Sequence, residues 1–362
     1  MSGAIATGLA AAATATPELA GAAVRVALER AGGGIARSVL LFLSPEFAHC
    51  AHAAVLAASR AANCLQVVGC TAAGVFTEED GALDRPAAAV MAFAGECELA
   101  AHDESGAPRL SLALPQGASD AWLGRGAPRY GLISTDASAH APGRLWCHGK
   151  TIADGCCDTV VTGARAAIGV SRGMRILGKP RAAVCRDREL LKLGDHAALD
   201  TLLRELPPEL RDEEKLPAHL LAAGIISGSS SKAVEAGDYT LVPVIAASRE
   251  ERSVSLAQPL APGDRAFWAL RQGLAAENEM RRLADGLAGQ LGGPADFGLL
   301  FSCLGRGPWF FGGEDRDLAV VKERFPGMPL LGAYGGGQIA PLGNGNRQVH
   351  NAAVLALFAA DV

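Results

Sequence analysis

Cys70 and Cys303 each close a short apolar run, and each is followed by a glycine-bearing turn. The ends of such strands are where α/β proteins collect ligand sites. A thiol becomes a nucleophile only beside a group that lowers its pKa. His350 and Arg306 are the candidates in the second half, and packing or pocket lining is the competing role for both cysteines. Arg306 lies between Gly305 and Gly307. Glycine on both sides lets the backbone turn and leaves the guanidinium in the open, where its planar fork suits a carboxylate or phosphate. The alternative is an ion pair with Asp315 or Asp317. A second cluster, Tyr334-Gly335-Gly336-Gly337-Gln338, either lets a ligand approach the backbone or forms a plain tight turn.

Other chemistry is excluded by spacing. Gly143 to Thr151 ends in Gly-Lys-Thr like a phosphate-binding loop, but five residues separate its first two glycines where the motif needs four. Trp146 and His148 would also obstruct an anion cradle of backbone N–H groups. His49 and His52 are three apart and share a helix face, yet no third or fourth metal ligand stands nearby. The nine cysteines show no CxxC pair. They read as reduced thiols of a cytoplasmic protein rather than a disulfide framework or zinc site.

The elements that position these residues follow from apolar runs and their stops. Strands are expected at 38–43, 65–69, 87–93, 130–134, 220–227, 239–246, 253–258, 297–303, 329–332 and 351–358. Helices are expected at 17–31, 45–63, 195–206, 274–291 and 315–325, and a polar loop at 135–150. Two passages share one layout of strand, helix, strand, small-residue turn and strand: 39–93 and 297–358. The fold class is α/β, mixed with α+β character, with two related halves whose mixed sheets are covered by helices. A length of 362 residues favours more than one domain. The net charge of −5 and 5% aromatic content advertise neither a phosphate-tracking surface nor a base-stacking platform, so no nucleic-acid partner is expected. No basic region precedes the Ala-rich N-terminus and no run is long enough to span a membrane.

The chain resembles the FIST family of bacterial sensory proteins. The similar segments are VLLFLSPEF (39–47), LQVVGCTAAGVF (65–76), VSRGMRILGKPRAAVCRDRELLKLGDHAALDTLL (170–203), GDYTLVPV (237–244), FGLLFSCLGRG (297–307), PLLGAYGGGQIAPL (329–342) and HNAAVLALF (350–358). The resemblance implies an Ala-rich segment and helix over 1–37, an N-terminal FIST domain over 38–215 and a C-terminal one over 216–362. It further implies a sensor, not an enzyme, that binds a small ligand such as an amino acid or small carboxylate and signals to a histidine kinase or cyclase. With no output domain recognisable, a stand-alone sensor is expected. Arg306 would meet a ligand carboxylate, and Gln338, His350 and Asn351 would supply polar contacts. Cys70, Thr71 and Cys303 would line the remaining wall. Gln338 departs from the family, which usually has Glu in this Gly-x-Glu-Ile stretch, so a ligand ammonium group loses its charged partner. No cofactor is required. Haem is the alternative, because some family members are haem-based nitric-oxide sensors, and a cysteine-dependent enzyme is another.

Overall fold

A short apolar strand, a helix and a second apolar strand favour a parallel pair, and the chain uses this solution three times. The computed structural model describes residues 4–101, 106–124, 126–135, 142–152, 155–212, 214–228, 233–234, 237–343 and 345–361. It divides into one unit of Met1–Arg172 with Glu277–Val362, and a second of Gly173–Ala276.

The first module begins with strand β1 (Ile5–Ala11), helix α1 (Pro17–Arg30), β2 (Ser38–Leu43), α2 (Ala51–Ala62) and β3 (Val67–Thr71). The chain leaves through β4 (Gly74–Thr77) and β5 (Gly81–Ala82) and returns as β6 (Ala87–Phe93). β2 and β3 are parallel, β6 lies antiparallel beside β2, and β1 lies beside β6. The second module repeats the plan with β7 (Glu98–Ala101), β8 (Arg109–Ala113), α3 (Asp120–Leu123), β9 (Arg129–Ile133), β10 (Leu145–Cys147), β11 (Lys150–Thr151) and β12 (Cys156–Thr162). Here β8 and β9 are parallel, with β12 and then β7 antiparallel alongside.

The third module opens with β13 (Ala164–Ser171) and is then interrupted by the second unit. That unit comprises β14 (Met174–Arg186), β15 (Glu189–Leu193), β16 (His196–Ala197), α4 (Ala198–Glu205), β17 (Leu221–Ile226), β18 (Thr240–Ser248), β19 (Ser253–Leu256) and β20 (Arg265–Arg271). The module resumes with α5 (Gly273–Leu291), β21 (Phe297–Cys303), α6 (Pro308–Phe311), α7 (Arg316–Arg324), β22 (Leu330–Gly335), β23 (Gly337–Leu342), β24 (Gly345–Val349) and β25 (Ala353–Ala360). β21 and β22 are parallel, flanked by antiparallel β25 and then β13.

Each module passes one strand to a neighbour. β4 pairs with β22, β23 pairs with β9, and β10 pairs with β3. The three sheets therefore share one order: β1-β6-β2-β3-β10, β7-β12-β8-β9-β23 and β13-β25-β21-β22-β4. One glycine marks the register in all three. Gly69 is opposite Leu41, Gly131 opposite Ser111 and Gly332 opposite Leu300. A Cβ added there would lie 1.7, 1.9 and 2.6 Å from the respective partner carbonyl oxygen, so a side chain would push the parallel strands apart.

The inward faces of the three sheets meet in one apolar core containing Phe42, Val68, Val75, Leu132, Leu145, Phe301 and Leu331. Rings from different sheets interlock there, as with Phe42 and Phe301, whose centroids are 6.0 Å apart and edge-on. Outside, α1 and α2 cover the first sheet and α5 and α7 the third. The four-residue α3 contributes Leu123, with Trp122 packed alongside, to a small cluster on the second sheet. The second unit is a closed antiparallel barrel, in the order β14-β20-β17-β18-β19-β15 with β15 pairing back onto β14. Leu177, Leu190, Val242, Val254 and Trp268 fill it, with Leu199 and Leu202 of α4.

Mixed sheets covered by helices are thus observed, and the passages 39–93 and 297–358 share their topology. The third copy, at 98–162, was not expected. Residues 207–216 lie inside the barrel unit rather than between units, and within the N-terminal segment β1 (Ile5–Ala11) pairs into the first sheet rather than standing apart. The helix expected over 45–63 is a 3-10 turn at Pro45–His49 followed by α2. Of the loop expected at 135–150, residues 136–141 lie outside the described residues, and the rest includes β10.

Candidate ligand site

The parallel pairs of the first unit end close together, because the crossover after each pair touches the next. The Ala73 N–H donates to the Tyr334 carbonyl at 2.8 Å, and the Gly336 N–H to the Ile133 carbonyl at 3.0 Å. The third link uses a side chain: Ser134 Oγ donates to the Thr71 carbonyl at 2.6 Å. Thr71 Oγ1 lies 3.2 Å from Ser134 Oγ and accepts from the Arg144 N–H at 2.8 Å. Thr71 therefore stands at this junction, as expected, but its hydroxyl is already engaged. The glycine triplet has a steric cause: a Cβ on Gly335 would lie 2.4 Å from the Ile133 carbonyl oxygen, and one on Gly336 2.8 Å from the Thr135 methyl. His350 lies exposed over the triplet, its Nδ1 3.1 Å from the Gly336 carbonyl and its Nε2 3.1 Å from Gln348. Asn351 follows with a left-handed backbone, φ 52°, at the turn into β25.

Arg306 is not in the open. It is 0% exposed. Its Nε donates to Asp317 Oδ2 at 2.6 Å and one terminal nitrogen to Asp317 Oδ1 at 3.0 Å. Its terminal nitrogens also donate to the Ser171 carbonyl at 2.9 Å and Ser171 Oγ at 2.6 Å. A buried guanidinium needs this compensation, so the flanking glycines serve a sharp turn into the protein rather than display to a ligand. Asp315 caps α7 by accepting from the Leu318 N–H, and Tyr334 donates to its other oxygen. Burial, with Asp317 adding to it, pushes the Asp315 carboxyl up to about 6.

Neither strand-end cysteine has the partner of a nucleophile. Cys70 faces the shared core, and burial pushes its thiol up. Cys303 is buried opposite Gly335, its N–H bonded to the Ala352 carbonyl at 3.0 Å.

Gln338 behaves differently from every other polar residue of the set. It is 0% exposed, and neither its amide nitrogen nor its amide oxygen has a hydrogen-bond partner. It sits opposite Leu132 on β23. The equivalent positions on the other exchanged strands are Val75, opposite Ala333, and Leu145, opposite Cys70. Both equivalents belong to the shared core, so the threefold pattern puts a carboxamide where it otherwise puts a hydrocarbon. Tyr130, two residues from Leu132 on β9, is the equivalent of Val68 and Leu331. It too is fully buried with an unpartnered hydroxyl, which burial pushes up. The inner side of the crossover junction therefore carries a carboxamide and a phenol among apolar side chains.

Sequence reasoning missed Tyr130, Ser134 and Arg144. The signal available for them was Gly131, spaced within its strand like Gly69 and Gly332. Gly143 to Thr151 forms part of the β10–β11 hairpin, with no helix N-terminus to hold a phosphate. A haem needs an axial ligand over an apolar slot. The described histidines, His49, His52, His148, His196, His219 and His350, are all exposed, and Cys70 and Tyr130 are packed inside the core. Among the described residues no group of three His, Cys, Asp or Glu is placed to hold a metal. No helix among the described residues is long and apolar enough to cross a membrane.

Residues 198–341 match the family model of the FIST C domain. Uncharacterized protein Rv0628c of Mycobacterium tuberculosis is 27% identical over 216 residues, which cover 59% of this chain and 56% of that protein. Uncharacterized protein Mb0898c of Mycobacterium bovis is 29% identical over 221 residues, covering 60% of this chain and 57% of the relative. The chain thus spans just over half the length of these relatives. The match at 198–341 begins in α4 of the barrel and ends in β23, so the stretch that is similar to the FIST C domain takes in the glycine triplet and Gln338.

Proposed function

We propose that this chain is a sensor that binds a small polar molecule at the inner side of the crossover junction and signals by contact with a separate protein. One observation carries the reading: the wholly buried Gln338 carboxamide has both polar atoms unpartnered. An unpaired buried donor or acceptor costs about 1–3 kcal/mol, and a ligand presenting an adjacent acceptor and donor removes that cost. The Tyr130 hydroxyl adds a second point of recognition. Because Arg306 is committed to Asp317, its charge is not offered to a ligand carboxylate. Amino acids and small carboxylates remain candidates through the hydrogen-bonding ends that Gln338 and Tyr130 can meet, as do uncharged amides. The cysteines at the strand ends lack a general base, in keeping with a binding rather than a catalytic role. The sensor is taken to be cytoplasmic, with a histidine kinase or cyclase as the partner class.

A thermal-shift screen of amino acids, small carboxylates and small amides tests this reading. At 100 times its Kd a ligand stabilises by about 2.7 kcal/mol. The expected result is a compound that raises the melting point of the native chain and not of Gln338→Met. Failure of every compound to shift folded protein overturns the reading, as does an equal shift in the variant.

A further inference from the structure

Gln338 and Tyr130 have a third companion on the inner face of the second sheet. Thr159 lies on β12 two residues from both Cys157 and Val161, which face the shared core, so strand alternation turns its side chain inward too. It stands opposite Leu110 of β8, and Leu110 stands opposite Tyr130 of β9. The corresponding positions in the other two sheets are Met91, opposite Leu40, and Ala356, opposite Leu299. Both are apolar members of the core. Thr159 is wholly buried, and its hydroxyl has no hydrogen-bond partner. At three positions, then, the second sheet carries an unpartnered polar group where the first and third carry apolar side chains. Gln338 is opposite Leu132, two residues along β9 from Tyr130, and such diagonal neighbours stand about 7–8 Å apart at the backbone. Long side chains reach one another at that spacing, yet the carboxamide and the phenol are not hydrogen-bonded. A molecule of one small ring can bridge them.

Resting on the reading that a ligand sits at this junction, we infer that the ligand is a neutral ring carrying a cis amide, paired edge to edge with the Gln338 carboxamide, and a second hydrogen-bonding atom across the ring that meets the Tyr130 hydroxyl. A carboxamide presents its C=O and one N–H side by side. Its full complement is a C=O and an N–H on the same side of an amide bond. Open-chain secondary amides hold these groups on opposite sides, because the cis form is strongly disfavoured, whereas a small ring enforces it. A carboxylate offers two acceptors and no donor, so it would leave the Gln338 carbonyl oxygen facing another oxygen. It would also bring a charge to three partners that carry none, and burying an uncompensated charge is costly. Phe301 and Phe358 surround the phenol with aromatic surface against which a flat ring packs, their centroids 6.5 and 6.1 Å from that of Tyr130. Thr159, on the far side of Leu110 from Tyr130, offers a partner to a polar substituent on the ring. A diketopiperazine, the cyclic form of a dipeptide, has two cis amides on opposite edges and is the simplest ring that meets Gln338 and Tyr130 together.

The test is isothermal titration of the full native chain, refolded from denaturant, with cyclic glycylglycine, its N-methylated form, δ-valerolactam, linear glycylglycine and acetate. Cyclic glycylglycine is expected to bind. The N-methylated ring has no N–H and the linear dipeptide has a trans amide, so both should bind roughly tenfold or more weakly, the factor that one unpaired buried amide atom costs. Gln338→Met should lose the binding of the cyclic compound. Tyr130→Phe should weaken it by a similar factor yet leave δ-valerolactam, which has no second polar edge, unchanged; a purely structural role for the phenol would move both. A hydroxymethyl substituent on the ring should tighten binding to the native chain but not to Thr159→Val. Equal binding of the N-methylated ring or of the linear dipeptide overturns the inference, as does a Tyr130→Phe variant that binds the cyclic compound as the native chain does. Acetate that binds the native chain and not Gln338→Met, when the cyclic compound does not bind, overturns the ring assignment alone and leaves the ligand site standing. Absence of binding by every compound, or equal binding of the cyclic compound by Gln338→Met, overturns both.

Discussion

Replacing Gln338 with methionine removes both unpartnered polar atoms while keeping nearly the same length and volume. Volume-conserving swaps in a packed core cost little in themselves. The two amide atoms each carry an unmet demand of about 1–3 kcal/mol, so with up to about 1.5 kcal/mol set against it for repacking, Gln338→Met is expected to stabilise ligand-free protein by about 1–4 kcal/mol. That gain is measured by urea unfolding of protein refolded from denaturant, which removes any ligand carried from cells. The midpoint should rise with an unchanged m-value, since the surface exposed on unfolding is the same. The direction is opposite to that of most core substitutions, which destabilise. A variant less stable than the native chain by more than about 1 kcal/mol would refute the reasoning, because the amide would then have a partner within the fold. A ligand that binds here should also lose its effect in the variant. A stabilised variant that still responds fully to a ligand would keep the energetic argument and remove the site from this junction.

Three further outcomes follow from the same geometry. Asp317→Asn leaves the buried Arg306 without its charge partner and is expected to cost about 3–5 kcal/mol in urea unfolding; a loss under about 1 kcal/mol would contradict the pairing. In the folded protein the Asp315 carboxyl is pushed up to about 6, above its ordinary value of 3.8. Its protonated form is favoured by folding, so its contribution is complete below pH 3.8 and lost as pH rises through about 6. Asp315→Asn should therefore gain stability relative to the native chain across that window, by up to about 3 kcal/mol, and parallel pH profiles would refute it. Gly131→Ala places a methyl 1.9 Å from the Ser111 carbonyl oxygen and should cost upwards of about 3 kcal/mol, seen as insoluble or low-melting protein.

Much of the first and third modules was legible because their strands are unbroken apolar runs with helices between them. The strands at 87–93 and 297–303 match to the residue. The second module was not legible, for local reasons. Its helix has shrunk to Asp120–Leu123, and the outward face of its sheet is held by ions rather than by a helix. Arg129 donates to Asp158 at 2.9 Å, with Ser111 donating to the same carboxylate at 2.6 Å, so its strands carry charges that mask the pattern. β1 was hidden because its small residues, Gly8 among them, let α1 approach: a Cβ on Gly8 would lie 2.2 Å from the Ala23 carbonyl oxygen. In the site, residue type was a poor guide to direction. Arg306 was singled out for its charge, which the fold spends internally on Asp317, one of the two acids weighed as alternatives. Gln338 was singled out for a loop position, whereas strand alternation puts it in the core. Only its comparison with Val75 and Leu145 reveals that, and this requires the exchanged strands to be known.

The cyclic passing of β4, β10 and β23 between sheets gives the chain an asymmetry of dispensability. A cut between modules leaves one sheet a strand short and opens a hydrogen-bonding edge of the kind that promotes aggregation, so no single module is an autonomous folding unit. Among the described residues, every strand pairing of the barrel is internal to it. Its two points of attachment also lie side by side, since Ser171 Oγ donates to Glu279 at 3.0 Å. The threefold body can therefore be closed by a short peptide in place of residues 173–276, and the shortened chain should still unfold as one cooperative whole.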